Sequence, residues 1–265
     1  RAAAQHVTKV FLELGGKSAM ILLDDLDDVS GPAMAAAFGT ALVCGQGCAL
    51  STRILIPHSS YEEAVATIGE LFGSITPGPP TVDGSTMGPL IDLRQRDRVE
   101  GYVQSALDEG ARIVCGGARP EGLDGGAFYL PTLLADVTPE MRVAREEIFG
   151  PVLTVYVYED DDFEGALETC DKGSPYALTG SIFANKEEDV QRAFEALRFA
   201  AGNFYINDKP TGAVVAQQPF GGARASGTND KAGGPLNLLR WISPRSVKRT
   251  LDIPQDWGYP FMQPE

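Results

Sequence analysis

The stretch "RILIPHSSYEEAVATIGELFGSI", Arg53 to Ile75, passes from a short apolar run through a proline-bounded turn into a segment of helical length. "RILIP" has the continuous, β-branched character of a strand, and Tyr61 to Ile75 reads as the helix that follows it. The same alternation repeats outward in both directions. Upstream lie the strand-like runs "KVFLEL" (Lys9–Leu14) and "AMILL" (Ala19–Leu23). An Ala-rich helix follows them, with Ser30 as its cap, Pro32 in its first turn and its end near Val43. Downstream of the Pro/Gly loop "TPGPPTVDGSTMGP", residues Val99, Tyr102, Val103, Ala106 and Leu107 recur at the spacing of an amphipathic helix. "ARIVCGG" predicts a buried strand that puts Cys115 in the core. Strand "VLTVYVY", a helix near Asp162 to Asp171 and strand "LTGSIFA" come next. Asn185 and Glu188 form a capping-box pattern ahead of a helix carrying Val190, Ala193, Phe194 and Leu197, and strand "GNFYIN" closes the series. This order predicts an α/β fold, a parallel sheet covered by helices on both faces, with ligands at the carboxyl ends of the strands.

The 265 residues are 43% hydrophobic, enough to build a sizeable core, and carry a formal net charge of −14. No cluster of Lys and Arg interrupts that acidity, which excludes nucleic acid and anionic membrane surfaces as expected partners. No apolar run approaches the roughly 20 residues of a membrane helix. Four cysteines are too few for a disulfide scaffold, so the expected compartment is a reducing one, the cytoplasm by default. The glycine-rich stretch Lys209 to Pro235 is too long for a plain connection and predicts a functional loop. After Trp241 the chain is polar, and the alternating "RSVKRTL" predicts an exposed strand that seeks a partner, hence a homo-oligomer.

The chemistry-bearing residues are few. The two histidines, His6 and His58, have no companions at zinc-ligand spacing, so no metal site is expected. "LELGGKS" contains Gly-Gly-Lys-Ser but lacks the earlier glycine of a phosphate-binding loop. Cys48, in "CGQGCALSTR" (Cys44–Arg53), is either a small core residue or a nucleophile. Gly45, Gly47 and Ala49 leave its sulfur open, and with no histidine nearby its thiolate would depend on backbone dipoles or a bound cation. Cys44 reads as packing. Glu13, at the end of an apolar run and followed by Gly15-Gly16, is either a solvent-facing strand residue or a carboxylate with raised pKa suited to general-base work. In "REEIFGPV" (Arg145–Val152), Glu147 and Phe149 project to one side, as a capped turn with a buried ring or as a hydroxyl acceptor beside a ring that flanks a flat cofactor.

Taken together, "LELGGKS", "GQGC" with an arginine five residues after the cysteine, "EEIFGPV" and "PFGG" resemble the aldehyde dehydrogenase family, in the family's order and over nearly the whole chain. The resemblance implies a two-step oxidation. Cys48 attacks the aldehyde carbon, and the oxyanion is held by the Cys48 backbone N–H and by an asparagine from an earlier segment. Hydride leaves to NAD, or to NADP, since the residues that distinguish the two lie outside this chain. Glu13 then activates water to release the acid. Glu147 would hold the nicotinamide ribose, and Phe149 and Leu14 would line the nicotinamide pocket. From Glu146 onward the chain is similar to the pyrroline-5-carboxylate (glutamate semialdehyde) dehydrogenase branch, which would give Gly212 and Ala213 the substrate's α-carboxylate and amine, and Phe220 its aliphatic part. That branch carries a serine directly after the nucleophile, where this chain has Ala49.

The resemblance also implies a division into residues 1–14, the end of a dinucleotide-binding domain, residues 15–235, the catalytic domain, and residues 236–265, an oligomerisation tail. The rest of the cofactor domain and the oxyanion-hole asparagine precede "LELGGK" in the family. The chain alone is therefore expected to have little dehydrogenase activity. A general aldehyde dehydrogenase of unassigned substrate, a truncated non-catalytic assembly subunit and a cofactor-independent thiol esterase are the alternatives.

Overall fold

The computed structural model describes residues 1–255 and 258–262. Nine strands are present among them: β1 (Ser18–Leu22), β2 (Ser51–Pro57), β3 (Arg112–Cys115), β4 (Thr132–Ala135), β5 (Val152–Tyr158), β6 (Tyr176–Ala177), β7 (Thr179–Phe183), β8 (Asn203–Ile206) and β9 (Ala223–Arg224). The α-helices are α1 (Ala2–Gln5), α2 (Ser30–Ala41), α3 (Tyr61–Ser74), α4 (Leu93–Asp108), α5 (Arg142–Arg145), α6 (Phe163–Lys172), α7 (Glu187–Ala196) and α8 (Pro235–Leu238). Seven strands make one sheet in the order β3-β4-β5-β2-β1-β7-β8, while β6 and β9 pair separately. Every pairing in the large sheet is parallel except β3 with β4.

Side-chain alternation along the strands divides the interior into two cores. Met20, Leu22, Ile54 and Ile56 face α2, α3 and α4, where they meet Ala36, Ile68 and Val99. Ile21, Leu23 and Leu55 face α6 and α7, against Leu167, Cys170 and Val190. β1 is buried along its whole length, as a central strand covered on both faces must be. This is the three-layer α/β arrangement expected from the alternation of strand and helix patterns.

Several local expectations are corrected. Lys9–Leu14 is not a strand: its one bridge joins Glu13 to Gly227, and Val10, Leu12 and Leu14 are exposed. The segment is held instead by discrete bonds, Thr228 Oγ1 accepting from Leu12 N–H and Arg240 donating to the Val10 carbonyl. Ser30 does not cap α2, and Asp28 accepts the Ser30 N–H at 2.7 Å. Nor does Asn185 form a capping box. Asp25, in the turn after β1, accepts the N–H groups of Asn185 and Lys186 at 2.9 and 2.6 Å, so the segment leading into α7 is held by a tertiary contact. Cys115 is only half-buried because β3 is an edge strand, and Phe194 lies on the outer face of α7, 54% exposed. Residues 245–250 are exposed and carry no strand pairing. The end of the chain, part of the likeness that begins at Glu146, falls partly on residues 256–257 and 263–265, which lie outside the described residues.

Candidate active site

Four separate segments converge on one open cleft of about 430 Å³: Glu13, Leu14 and Gly15 ahead of β1, Cys48 ahead of β2, Glu147 and Phe149 ahead of β5, and Phe220 with Ala232 from the glycine-rich stretch. The cleft therefore lies at the amino ends of the parallel strands, which corrects the expectation of a carboxyl-end site. The reason is local: the glycine-bearing turns with irregular backbone are those that lead into β1, β2 and β5.

The turn before β2 carries the nucleophile candidate. Val43, Cys44 and Gly45 follow α2 with φ of 47°, 58° and 68°, three consecutive left-handed residues, of which only glycine adopts that region without cost. They tuck Cys44 into the core, 2% exposed, where burial pushes its thiol up to about 12. Cys48 is left exposed in the cleft. Cys44 packs and the two cysteines are not bonded. Gly45 is required here, because a Cβ would come within 2.0 Å of the Gly150 carbonyl oxygen. The turn bearing Cys48 and the turn bearing Glu147 thus meet backbone to backbone.

Desolvation by the cleft wall is the main reason the Cys48 thiol lies above its ordinary range. The N–H groups of Cys48 and Ala49 favour the thiolate, while the carboxylates of Glu147 and Glu13 oppose it. The backbone dipoles anticipated from the sequence are present but do not prevail. Glu13 is also raised, first by desolvation, then by Asp230, against a lowering pull from Lys231. Desolvation raises Glu147 too, partly offset by the Gly16 N–H, which its Oε1 accepts at 3.0 Å. Glu147 Oε2 occupies the place a Cβ of residue 15 would take, 1.9 Å from that position, which explains Gly15.

Two residues that the sequence reading did not single out hold Glu147 and Phe149. From α4, Arg98 donates to the Glu147 carbonyl at 2.8 Å, and Gln95 donates to the carbonyls of Ile148 and Phe149 at 3.1 and 2.7 Å. These bonds fix Phe149 at φ 61° with its ring 37% exposed on the cleft. The signal in the sequence is two polar residues three apart, on the helix face next to the buried Val99. Beside them Glu146 accepts from Tyr102 at 2.7 Å and pairs with Arg142, which together hold its carboxyl down to about 2.

Not all sequence-predicted residues enter the cleft wall. Ala49 adjoins Cys48, but its carbonyl accepts from Thr179 Oγ1 at 2.9 Å and its methyl does not line the cleft. Gly212 and Ala213 lie beyond the cleft wall in the glycine-rich stretch, where Gln218 Nε2 donates to the Gly212 carbonyl at 3.1 Å. Phe220 is 8% exposed and reaches the cleft through its bridge to Ala232. Among the described residues no cluster of His, Cys, Asp and Glu suits a metal ion, and no helix is long and apolar enough to cross a membrane.

The aldehyde dehydrogenase family model matches residues 1–247. The mitochondrial Δ1-pyrroline-5-carboxylate dehydrogenase of Danio rerio is 44% identical over 220 residues, 82% of this chain and 39% of that protein. The chain thus spans about two-fifths of the length of the curated relatives it matches. An aldehyde dehydrogenase of Mycobacterium tuberculosis solved with NAD+ superposes with a TM-score of 0.76 at 42% identity, over 85% of this chain and 45% of that one. A mutant form of Thermus thermophilus 1-pyrroline-5-carboxylate dehydrogenase gives 0.80 at 34%, over 88% and 43%. The chain belongs to the aldehyde dehydrogenase family.

Proposed function

We propose that this chain carries the catalytic portion of an NAD-dependent aldehyde dehydrogenase that converts L-glutamate γ-semialdehyde to glutamate. The observation that carries the reading is the convergence of an exposed cysteine, a raised carboxylate and a carboxylate–phenylalanine pair on one cleft. The substrate rests on the named activity of the relatives, from Danio rerio to Thermus thermophilus.

Cys48 gives up its proton and attacks the aldehyde carbon, forming a thiohemiacetal whose oxyanion faces the Cys48 N–H. With a raised thiol pKa, deprotonation calls for a nearby base, and the carboxylates of Glu13 and Glu147 line the same cleft. NAD, when bound, supplies the hydride acceptor. The chain's residues fit its nicotinamide half: Glu147 has an Oε2 beside the Oε1 it commits to Gly16, able to accept from ribose hydroxyls, and Phe149 and Leu14 flank the space. Loss of hydride leaves a thioester on Cys48. Glu13, a carboxylate whose pKa desolvation and Asp230 raise, then takes a proton from water as it attacks that thioester. Residues 15–235 form the catalytic domain, residues 1–14 the end of the cofactor domain, and the tail from residue 236 joins copies into a homo-oligomer. All four cysteines are free, consistent with a reducing compartment.

The test is NADH formation from glutamate semialdehyde by the full-length protein bearing this chain. Cys48→Ala should abolish turnover, and a variant that keeps its rate overturns the assignment.

A further inference from the structure

Glu13 lies in Lys9–Leu14, a segment with one isolated bridge and no ladder, yet proton transfer depends on where its carboxylate is held. The residues on either side of it are fastened to one part of the chain. Thr228 makes a reciprocal pair with Leu12, its N–H donating to the Leu12 carbonyl at 3.1 Å and its Oγ1 accepting the Leu12 N–H at 3.0 Å. The Leu14 N–H donates to the Ser226 carbonyl at 3.0 Å, and Glu13 itself bridges Gly227. Earlier in the segment, Arg240 Nη2 donates to the Val10 carbonyl at 2.6 Å and Lys9 Nζ to the Ile242 carbonyl at 3.1 Å. The rings of Phe11 and Trp241 meet with centroids 5.9 Å apart.

Asp230 joins these two groups of contacts. Its Oδ2 accepts from Thr228 Oγ1, and its Oδ1 lies 2.7 Å from Arg240 Nε. The Asp230 side chain is only 9% exposed, and a carboxylate so far withdrawn from water is costly unless it stays paired. One guanidinium thus grips both that carboxylate and the backbone three residues before Glu13. Neither Asp230 nor Arg240 lines the cleft. The charged and titratable groups around Glu13 are Asp230 and Lys231 from the glycine-rich stretch, and Cys48 and Glu147 on the cleft. After desolvation, Asp230 raises the Glu13 carboxyl, and Lys231, fixed on the Gly202 carbonyl at 2.5 Å, lowers it.

We propose that Asp230 and Arg240 are positioning residues for release of the acid: their ion pair locks Thr228 to Val10 and so holds the Glu13 carboxylate toward the water that attacks the Cys48 thioester. In that step water forms a C–O bond to the thioester carbon, its proton passes to Glu13, and the C–S bond breaks to release the acid and the Cys48 thiolate. The role rests on the reading of Glu13 as the base.

The test uses the full-length protein with NAD and glutamate semialdehyde, following the acyl adduct on Cys48 by acid quench and intact mass. Asp230→Asn and Arg240→Met should each slow thioester hydrolysis by roughly ten- to a hundredfold, so that the adduct accumulates. The pH profile separates positioning from general loss of structure. Hydrolysis needs ionised Glu13 and falls away as pH drops through its pKa. Asp230→Asn removes a charge that raises Glu13 and should move this acid limb to lower pH. Arg240→Met leaves the Asp230 charge unpaired and should move the limb to higher pH, and Arg240→Lys should recover part of the rate. If Arg240→Met does not fold, the near-isosteric Asp230→Asn carries the comparison. Hydrolysis at the wild-type rate, or slower hydrolysis with an acid limb that stays in place, overturns the positioning role, provided Glu13→Gln blocks hydrolysis. A Glu13→Gln variant that still releases the acid overturns the base assignment and this role with it.

Discussion

Two glycines of the cleft would suffer nearly equal clashes on substitution, yet they should respond in opposite ways. A Cβ on Gly15 would lie 1.9 Å from Glu147 Oε2, and one on Gly45 would lie 2.0 Å from the Gly150 carbonyl oxygen. The first obstacle is the far end of a flexible side chain, and the second is backbone. Gly15 has no left-handed φ, so alanine is conformationally allowed and Glu147 can swing out to solvent. The loss of its bond to Gly16 costs about 1.5–3 kcal/mol, offset by about 0.4–1 kcal/mol from the stiffer unfolded chain. Gly15→Ala should therefore destabilise by only about 1–2 kcal/mol. Gly45 has φ +68°, so alanine adds about 1–2 kcal/mol of left-handed strain and about 1–3 kcal/mol of overpacking against an immovable carbonyl. Denaturant midpoints of the two full-length variants should differ accordingly, with Gly45→Ala the weaker by about 2 kcal/mol. The functional order should reverse. Displacing Glu147 removes the acceptor for the ribose, so Gly15→Ala should raise KM for NAD about tenfold or more, the equivalent of one charged hydrogen bond. An unchanged KM refutes the role given to Glu147. Equal stabilities refute the argument that backbone contact at Gly45 sets the distance between the two halves of the cleft.

Two further expectations follow from the electrostatics and the caps. Alkylation of Cys48 by iodoacetamide, read by mass spectrometry across pH, should show a midpoint above the roughly 8.5 of a free thiol. Glu147→Gln and Glu13→Gln should each lower that midpoint by removing a charge that opposes the thiolate, and a wild-type midpoint at or below roughly 8.5 contradicts the desolvated site. Asp25→Ala should destabilise the protein by about 1 kcal/mol through loss of its bonds to the segment leading into α7, whereas Glu188→Ala should be nearly neutral. The reverse ranking in chemical denaturation would restore the local capping box.

The layers of this fold are legible in the sequence because they rest on periodicity. Continuous apolar runs at Ala19–Leu23, Arg53–Pro57 and Val152–Tyr158 became the buried strands β1, β2 and β5, within a residue or two at their ends. What could not be read is tertiary. Lys9–Leu14 has an apolar pattern like theirs, but no strand lies alongside to complete a ladder, so it stays irregular. Asn185 has the right spacing to Glu188, yet its own N–H is taken by Asp25, some 160 residues away, and no capping box forms. Cys48, Glu13, Glu147 and Phe149 could each be named from composition and motif, because a reactive residue beside small ones is a local feature. Arg98 and Gln95 could not, since their work is to hold carbonyls about 50 residues distant.

The cleft opens at the end of the sheet opposite to the one expected, and that difference bears on the chemistry. At the carboxyl end of a parallel strand the next element is a helix, and its N-terminus lowers the pKa of a cysteine set on it. Cys48 instead follows the C-terminal end of α2 and precedes β2, so no helix N-terminus favours its thiolate. Only the N–H groups of Cys48 and Ala49 do, and desolvation outweighs them. A nucleophile in that position cannot be held permanently ionised as it could be at a helix N-terminus. In the proposed reaction Cys48 would give up its proton as it attacks, and the carboxylates of Glu13 and Glu147 line the same cleft. The same geometry explains the left-handed turn at Val43–Gly45. That turn places Cys44 in the core and leaves Cys48 exposed in the cleft.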